Sequence, residues 1–527
     1  MNERKNESCG SGKKSTVDQS KWLAEIVDGK PTSEWSFAQL ARDEKAIGQI
    51  AHDEYRLDTY PSQIEVITSE QMMDAYASVG LPIFYHHWSF GKHFIQTAKQ
   101  YERGQMGLAY EIVINSNPCI AYLMEENTAL MQKLVIAHAC FGHNSFFKGN
   151  RLFRKWTDAS AIVDYLIFAR DFILKCEEEH GSENVEFMLD ACHSLQEYGV
   201  DRYRHPPKLT PSEERARQKE RSDYLQTQVS DLWMHTIPKQ QESRREADRF
   251  PKSPEENILY FIEKNSPVLE PWQREIVRIT RKISQYFYPQ RQTQVMNEGW
   301  ATFWHYTLLN RLDELGMMPP GYMIEFLKSH TNVVAQPGFD SKYYSGINPY
   351  ALGFNIYRDI RRMCENPTKE DKIWFPDIAG SPWLDTLHTA MEDFKDESFI
   401  LQFLSPKVIR DMKLWGLLDD PNKNPKHFEV AAIHDEDGYR EIRKMLAEEH
   451  DLGIVQPNIE VYDVNKQTRA LTLRHTPYNE KVLDKKSLYE VLRNMYTTLW
   501  GFPVQVESIT SFGNYVISQC PESNLKK

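Results

Sequence analysis

Two histidines in the apolar stretch LVIAHACFGHNSFF, His138 and His143, have the side chains and setting best suited to chemistry in this chain. Neutral imidazoles are common ligands of divalent ions. Metal-binding helices place two of them at i and i+4, on one face. Here the gap is five, which on a regular α-helix turns the second side chain roughly 140° from the first. Three readings stay open: an altered metallopeptidase motif, a site of another kind, or two buried histidines with structural partners.

A second constellation lies in MNEGWATFWHYTLLNRL. As a helix it puts Glu298, Ala301, Thr302, His305 and Leu309 on one face. Most other positions are aromatic or aliphatic, and a helix that is apolar nearly all round is buried. A buried carboxylate needs a cation, hydrogen bonds or a raised pKa. Glu298 and His305 therefore read either as a structural pair or as metal ligands or acid/base groups. A third stretch, SENVEFMLDACHSL, spaces Glu186, Asp190 and His193 at i, i+4 and i+7. Asp190 and His193 have ligand or catalytic spacing, but Glu183 and Glu197 extend the stripe, as on a solvated helix face. Glu125 and Glu126 precede the His138 run, where acids favour a helix N-terminus or could act in catalysis. His86 and His87 are adjacent, so one must point away from any common site. Asn348, Tyr350, Arg358, Arg361 and Arg362 suit an anionic ligand or a solvated basic face.

Helices must position most of these residues. Residues 1–20 read as a disordered tail, and helical periodicity runs from about Trp22 to Gly199 and again from Pro254 to about residue 418. Between them, about 205–253 is charged and Pro-flanked and reads as a mobile insertion or solvated arm. The texture changes near His427. HFEVAAIH, GYREIRKMLAEEH, NIEVYDV, TRALTLRH, KSLYEVLRNMYTTLWG and FPVQVESI give a β-α-β-β-α-β order, the ferredoxin-like pattern. The expected fold is a mainly helical domain over 21–425 and a small α+β domain over 426–527.

The 527 residues carry a net charge of −12, with a pI near 5.8, which argues against a general nucleic-acid binder. Seven scattered cysteines without a C-x-x-C pair suit a reducing compartment. The polar N-terminus has no apolar signal segment, and no apolar run reaches the ~18 residues of a membrane span. The expected location is cytoplasmic. Walker A, G-x-G-x-x-G and G-x-S-x-G motifs do not occur, which disfavours ATP hydrolysis, dinucleotide redox chemistry and α/β-hydrolase catalysis.

The phrases PCIAYLMEENT, AHACFGHNSFFKGN, DACHSLQEYGVDRYR, SPVLEPWQREI, YFYPQRQTQVMNEGWATFWHYTLLNRL, INPYALG and FKDESFILQFLSPKVIRDMKLW closely resemble the SpoVR family, the stage V sporulation protein R-like proteins. The resemblance covers most of residues 20–420. It implies a cytoplasmic bacterial protein linked to the spore cortex and its peptidoglycan or, without sporulation, to stationary-phase and stress physiology. It also implies association with a PrkA-type serine protein kinase and a von Willebrand A-type protein. NEGWATFWH further resembles the second-helix signature of gluzincin-type metallopeptidases. That similarity implies a zincin-like helical core with Glu298 as third ligand beside His138 and His143. His305, Asp190 and His193 would be further ligands, supporting partners or acid/base groups.

The first helix departs from H-E-x-x-H, with Ala139 where the general base would stand. Glu125, Glu126 or Asp190 would have to replace that base, and a π-bulge would be needed to turn both histidines to one face. The resulting expectation is a divalent-metal enzyme, zinc first, cleaving or transferring an amide bond of a peptide-like or cell-wall-derived substrate. The alternative is a non-catalytic regulatory or scaffold partner of the kinase and the von Willebrand A-type protein.

Overall fold

The computed structural model describes residues 35–77, 85, 87, 111–202, 216, 249–319, 321–338, 341, 343–344, 346–419, 428–478, 482–510 and 513–521. The expected tail at 1–20, His86 and most of the charged stretch at 205–253 lie outside these residues. The chain is mainly helical and divides into two compact units, each built from two separated segments. The first unit takes residues 1–164 and 293–447, the second 165–292 and 448–527.

In the first unit a three-stranded sheet has the order β1 (Ser62–Ile67), β3 (Cys119–Met124), β2 (Glu111–Ile114). β3 runs parallel to β1 and antiparallel to β2, with Glu111 opposite Leu123. β3 is a nearly continuous apolar run, CIAYLM, as a strand covered on both faces should be. Thr128 then caps helix α1 (Ala129–Ile136), its hydroxyl accepting from Met131 N at 3.2 Å. All eight residues of α1 are buried.

Helix α2 (Gln294–Glu314) carries the EGWATFWH signature through the core. Its first amides would be orphan donors. The carboxylate of Asp396, at the start of α5 below, accepts from Val295 N and Met296 N, both at 2.9 Å. An anion at that end also complements the helix dipole. Helices α3 (Tyr322–Val333), α4 (Pro349–Glu365) and α5 (Asp396–Phe403) complete the surroundings. Trp300, Trp304, Tyr357 and Phe399 fill the space between them and are fully buried.

Glycines decide how closely these elements approach. A Cβ on Gly299 would lie 2.4 Å from the Gly353 backbone of α4, and one on Gly142 would lie 2.6 Å from Ala301 Cα. Both contacts exclude any side chain.

The C-terminal region departs from the ferredoxin-like order. β5 (Phe428–Ala432) pairs with β4 (Gly416–Asp419) in a separate two-stranded sheet, not with the strands that follow. It and most of the next helix, Glu436–Glu449, belong to the first unit. The second unit holds a four-stranded sheet in the order β6 (Asn458–Val464), β7 (Leu471–Thr476), β8 (Val504–Thr510), β9 (Gly513–Cys520). The expected hairpin β6–β7 is present, and α6 (Lys485–Asn494) makes the crossover to the parallel β8. Gly501, at φ 77°, ends the turn after α6, where glycine was expected. β9 was not anticipated from the sequence.

The strands of this sheet also join the earlier segment of the second unit. Glu255 and Val461 exchange backbone hydrogen bonds at 2.9 and 2.8 Å, and Ser266 Oγ donates to Leu499 O at 2.7 Å. No helix among the described residues is long and apolar enough to cross a membrane.

Candidate metal centre

Ala137–His143 is π-helical and continues directly from α1. Turns closed from i to i+5 return residues five apart to one face. The spacing that fails on an α-helix therefore succeeds here, and the two imidazoles stand 4.6 Å apart between ring centres. Gly142, inside the segment, lets α2 approach to backbone contact at Ala301. That approach sets Glu298, three residues earlier on α2, against both histidines.

Four side chains converge. Glu298 Oε2 lies 3.9 Å from His138 Nε2 and 3.5 Å from His143 Nε2. From the other side Glu111 Oε1, at the start of edge strand β2, lies 3.2 and 3.8 Å from the same two atoms. The ligand atoms of Glu111, His138 and His143 all fall within 4.8 Å of one another. A tetrahedral zinc with bonds near 2.0–2.1 Å needs ligand atoms about 3.3 Å apart. The four separations, 3.2 to 3.9 Å, run from about that value to about 0.6 Å beyond it. Two imidazole nitrogens with carboxylate oxygens are also a donor set that zinc accepts. His138 Nε2 and Glu298 Oε2 are buried, and neither makes a hydrogen bond.

The electrostatics point the same way. Burial, and then the charge of Glu298, push the Glu111 carboxyl well above its ordinary range. Burial and the neighbouring imidazoles hold His138 well below 6.5, so it is neutral with one free lone pair. A divalent cation among these groups would reverse both penalties. His143 Nδ1 donates to Asn297 Oδ1 at 3.0 Å, which leaves its Nε2 lone pair facing the cluster. Such a partner on the far nitrogen is the usual way a ligating imidazole is aimed.

His138, His143 and Glu298 are thus brought together. His305 is placed one layer behind them: its Nδ1 faces His138 Nδ1 at 2.9 Å and its Nε2 faces His330 Nδ1 at 3.0 Å. Both of its nitrogens are thus engaged by other histidines and do not face the carboxylates.

The acidic candidates for the missing base are not gathered here. Glu125 and Glu126 sit exposed on the turn after β3, where Glu126 Oε1 accepts from Ser69 N at 3.3 Å. Asp190 and His193 are on helix Ser182–His193 of the second unit, whose buried face is Val185, Met188, Leu189 and Cys192. Glu186 of their stripe is exposed, as on a solvated face. The basic residues are committed elsewhere. Arg362 binds Asp371 through two bonds of 2.7 and 2.8 Å, Arg361 pairs with Glu365, and Asn348 caps α4.

The sequence profile described as SpoVR like protein matches residues 34–455, and that of the SpoVR-like C-terminal domain matches 457–511. This chain belongs to the SpoVR family. It is also 59% identical, over 511 residues, to "Uncharacterized protein YcgB" of Escherichia coli (strain K12), covering 96% of this chain and 98% of that protein. No solved structure matches.

In this SpoVR chain Glu111, Asn297 and His330 are the site residues that sequence reasoning missed. Glu111 had one weak signal, a lone carboxylate opening the apolar strand EIVI. His330 had another, since Tyr322, Phe326 and His330 mark the buried face of α3 at every fourth position.

Proposed function

We propose that the first unit is a metal-dependent hydrolase or transferase acting on an amide bond of a peptide-like or cell-wall-derived substrate. The convergence of two imidazole nitrogens with Glu111 and Glu298 in a buried cluster carries this reading. His138, His143 and Glu298 would hold the ion, zinc first by donor set. When bound, such an ion polarises a carbonyl and lowers the pKa of water.

Glu111 takes the place of the base that Ala139 cannot supply. Its Oε1, beside both imidazoles, accepts the proton of the attacking water and returns it to the leaving nitrogen. A carboxyl whose pKa is raised by burial is suited to both steps. Asn297 holds the His143 ring so that Nε2 faces inward. A scaffold role for the cluster would require no such convergence of unbonded nitrogen and oxygen atoms.

Metal analysis of the purified protein tests this. About one zinc, manganese or iron per chain is expected, lost in His138→Ala and Glu298→Gln. E111Q should retain the ion while turnover of peptide and muropeptide amides falls ~100-fold or more. A metal-free wild-type protein, even after reconstitution, would overturn the proposal. Loss of the ion in E111Q would make Glu111 a ligand instead of the base.

A further inference from the structure

Behind His138 three imidazoles run in file, His138 from the π-helical segment, His305 from α2 and His330 from α3. The two contacts are Nδ1 to Nδ1 at 2.9 Å and Nε2 to Nδ1 at 3.0 Å. Each nitrogen pair at that distance needs one proton between the two atoms, no fewer and no more. All three rings are buried. His330 is boxed by the rings of Tyr306 and Phe354, both 4.8 Å away, and of Phe326 at 5.9 Å. Desolvation in such surroundings disfavours an imidazolium on any of the three rings. Three neutral rings own three N–H groups, so the file has only two consistent proton orders.

In one order His138 Nδ1 donates to His305 Nδ1, His305 Nε2 donates to His330 Nδ1, and His138 Nε2 keeps its lone pair. In the other every proton is reversed and His138 Nε2 carries a hydrogen into the carboxylate cluster. Glu111 Oε1 is only 3.2 Å away, yet His138 Nε2 makes no hydrogen bond. The geometry therefore favours the first order.

We propose that His305 and His330 are positioning residues that lock His138 in the Nδ1–H tautomer, so that Nε2 is presented as a ligand lone pair. This rests on the metal-site reading above and adds how that site is kept ready. A single polar partner normally orients a ligating histidine. Here the partner is itself a histidine that could face either way, and it is held in one tautomer while His330 is in its Nε2–H form. His330 Nδ1 accepts from His305 Nε2, which obliges His305 Nδ1 to accept from His138. Truncating His330 removes that acceptor and leaves His305 free to adopt either tautomer, half of which disable His138.

The test combines two measurements on the full-length chain. Imidazole nitrogen shifts of selectively 15N-labelled, metal-free protein should assign His138 as Nδ1–H and His305 as Nε2–H. In H330A the His138 signal should move toward the Nε2–H or a mixed form, and zinc affinity should fall ~10–100-fold. His330→Gln supplies an amide oxygen that can accept from His305 and should restore both readouts. His330→Phe, which keeps the packing but no acceptor, should restore neither. An Nε2–H His138 in the wild-type protein, or H330A and H330F with wild-type zinc affinity, would overturn the proposal. If instead the wild-type protein binds no metal but shows the assigned tautomers, the hydrolase reading fails and the locked file stands.

Discussion

At the scale of single residues, the candidate site depends on what is missing as much as on what is present. Ala139 stands where the H-E-x-x-H pattern has its Glu, and a carboxylate near both histidines comes from strand β2, as Glu111. Gly142 has no side chain because Ala301 Cα occupies the space. Gly142→Ala is expected to push α2 away, lowering stability by ~1–3 kcal/mol through overpacking. It should also weaken zinc binding by spoiling the approach of Glu298. Urea unfolding and a zinc titration on the same preparation check both. A variant that is destabilised but binds zinc normally would detach the glycine from the site. None of the six described cysteines is in a disulfide, and all are buried. Burial pushes the thiols of Cys119 and Cys192 up to about 12, so slow modification by thiol reagents is expected in the native state.

At the scale of elements, the candidate site is a meeting of one π-helical segment, one α-helix and one strand end. Helix α2 is held at both its flank and its start. On the flank, Gly299 and Gly353 allow backbone contact with α4. At the start, Asp396 accepts from two amides. Burial pushes that carboxyl up to about 7 even though the amides pull it down. Below about pH 4 it is protonated in both folded and unfolded chains. Between pH 4 and 7 the unfolded chain ionises first, so stability contributed by this group is lost as pH rises and levels off above 7. Asp396→Asn removes that titration. Its unfolding midpoint should fall less steeply from pH 4.5 to 7.5 than that of the wild-type protein, while D396A, which orphans the amides, should cost about 2 kcal/mol near pH 4 and progressively less toward pH 7.5. Parallel pH slopes for wild type and D396N would show that this carboxyl does not titrate in the window.

At the scale of the whole molecule, the compact units do not follow the order of the chain. The second unit needs both 165–292 and 448–527, because Val461 exchanges backbone hydrogen bonds with Glu255, Leu499 O accepts from Ser266 Oγ and Val464 N donates to Phe250 O. Truncation after Gln456 is therefore expected to leave residues 165–292 with exposed apolar faces. Increased dye binding and loss of a cooperative thermal transition would register it. A truncated chain that stays monomeric, with full helical signal and no dye binding, would mean that the C-terminal sheet folds as an independent module.

Helix content, the buried character of α2, the pairing of β6 with β7 and the apolar setting of His138, His143 and Glu298 were legible in the sequence. Each is a local property, set by periodicity, turn residues or the cost of placing a charged group among apolar neighbours. The partner of β5, the existence of β9 and the division into interleaved units were not, since strand pairing depends on which distant edge is available. Glu111 was hidden for the same reason: one acid in a short apolar strand has no pattern until β2 is laid beside β3. The π-helical turn belongs to both levels. The five-residue spacing required it if the histidines were to act together, but only the packing of Gly142 against α2 shows why the chain adopts it.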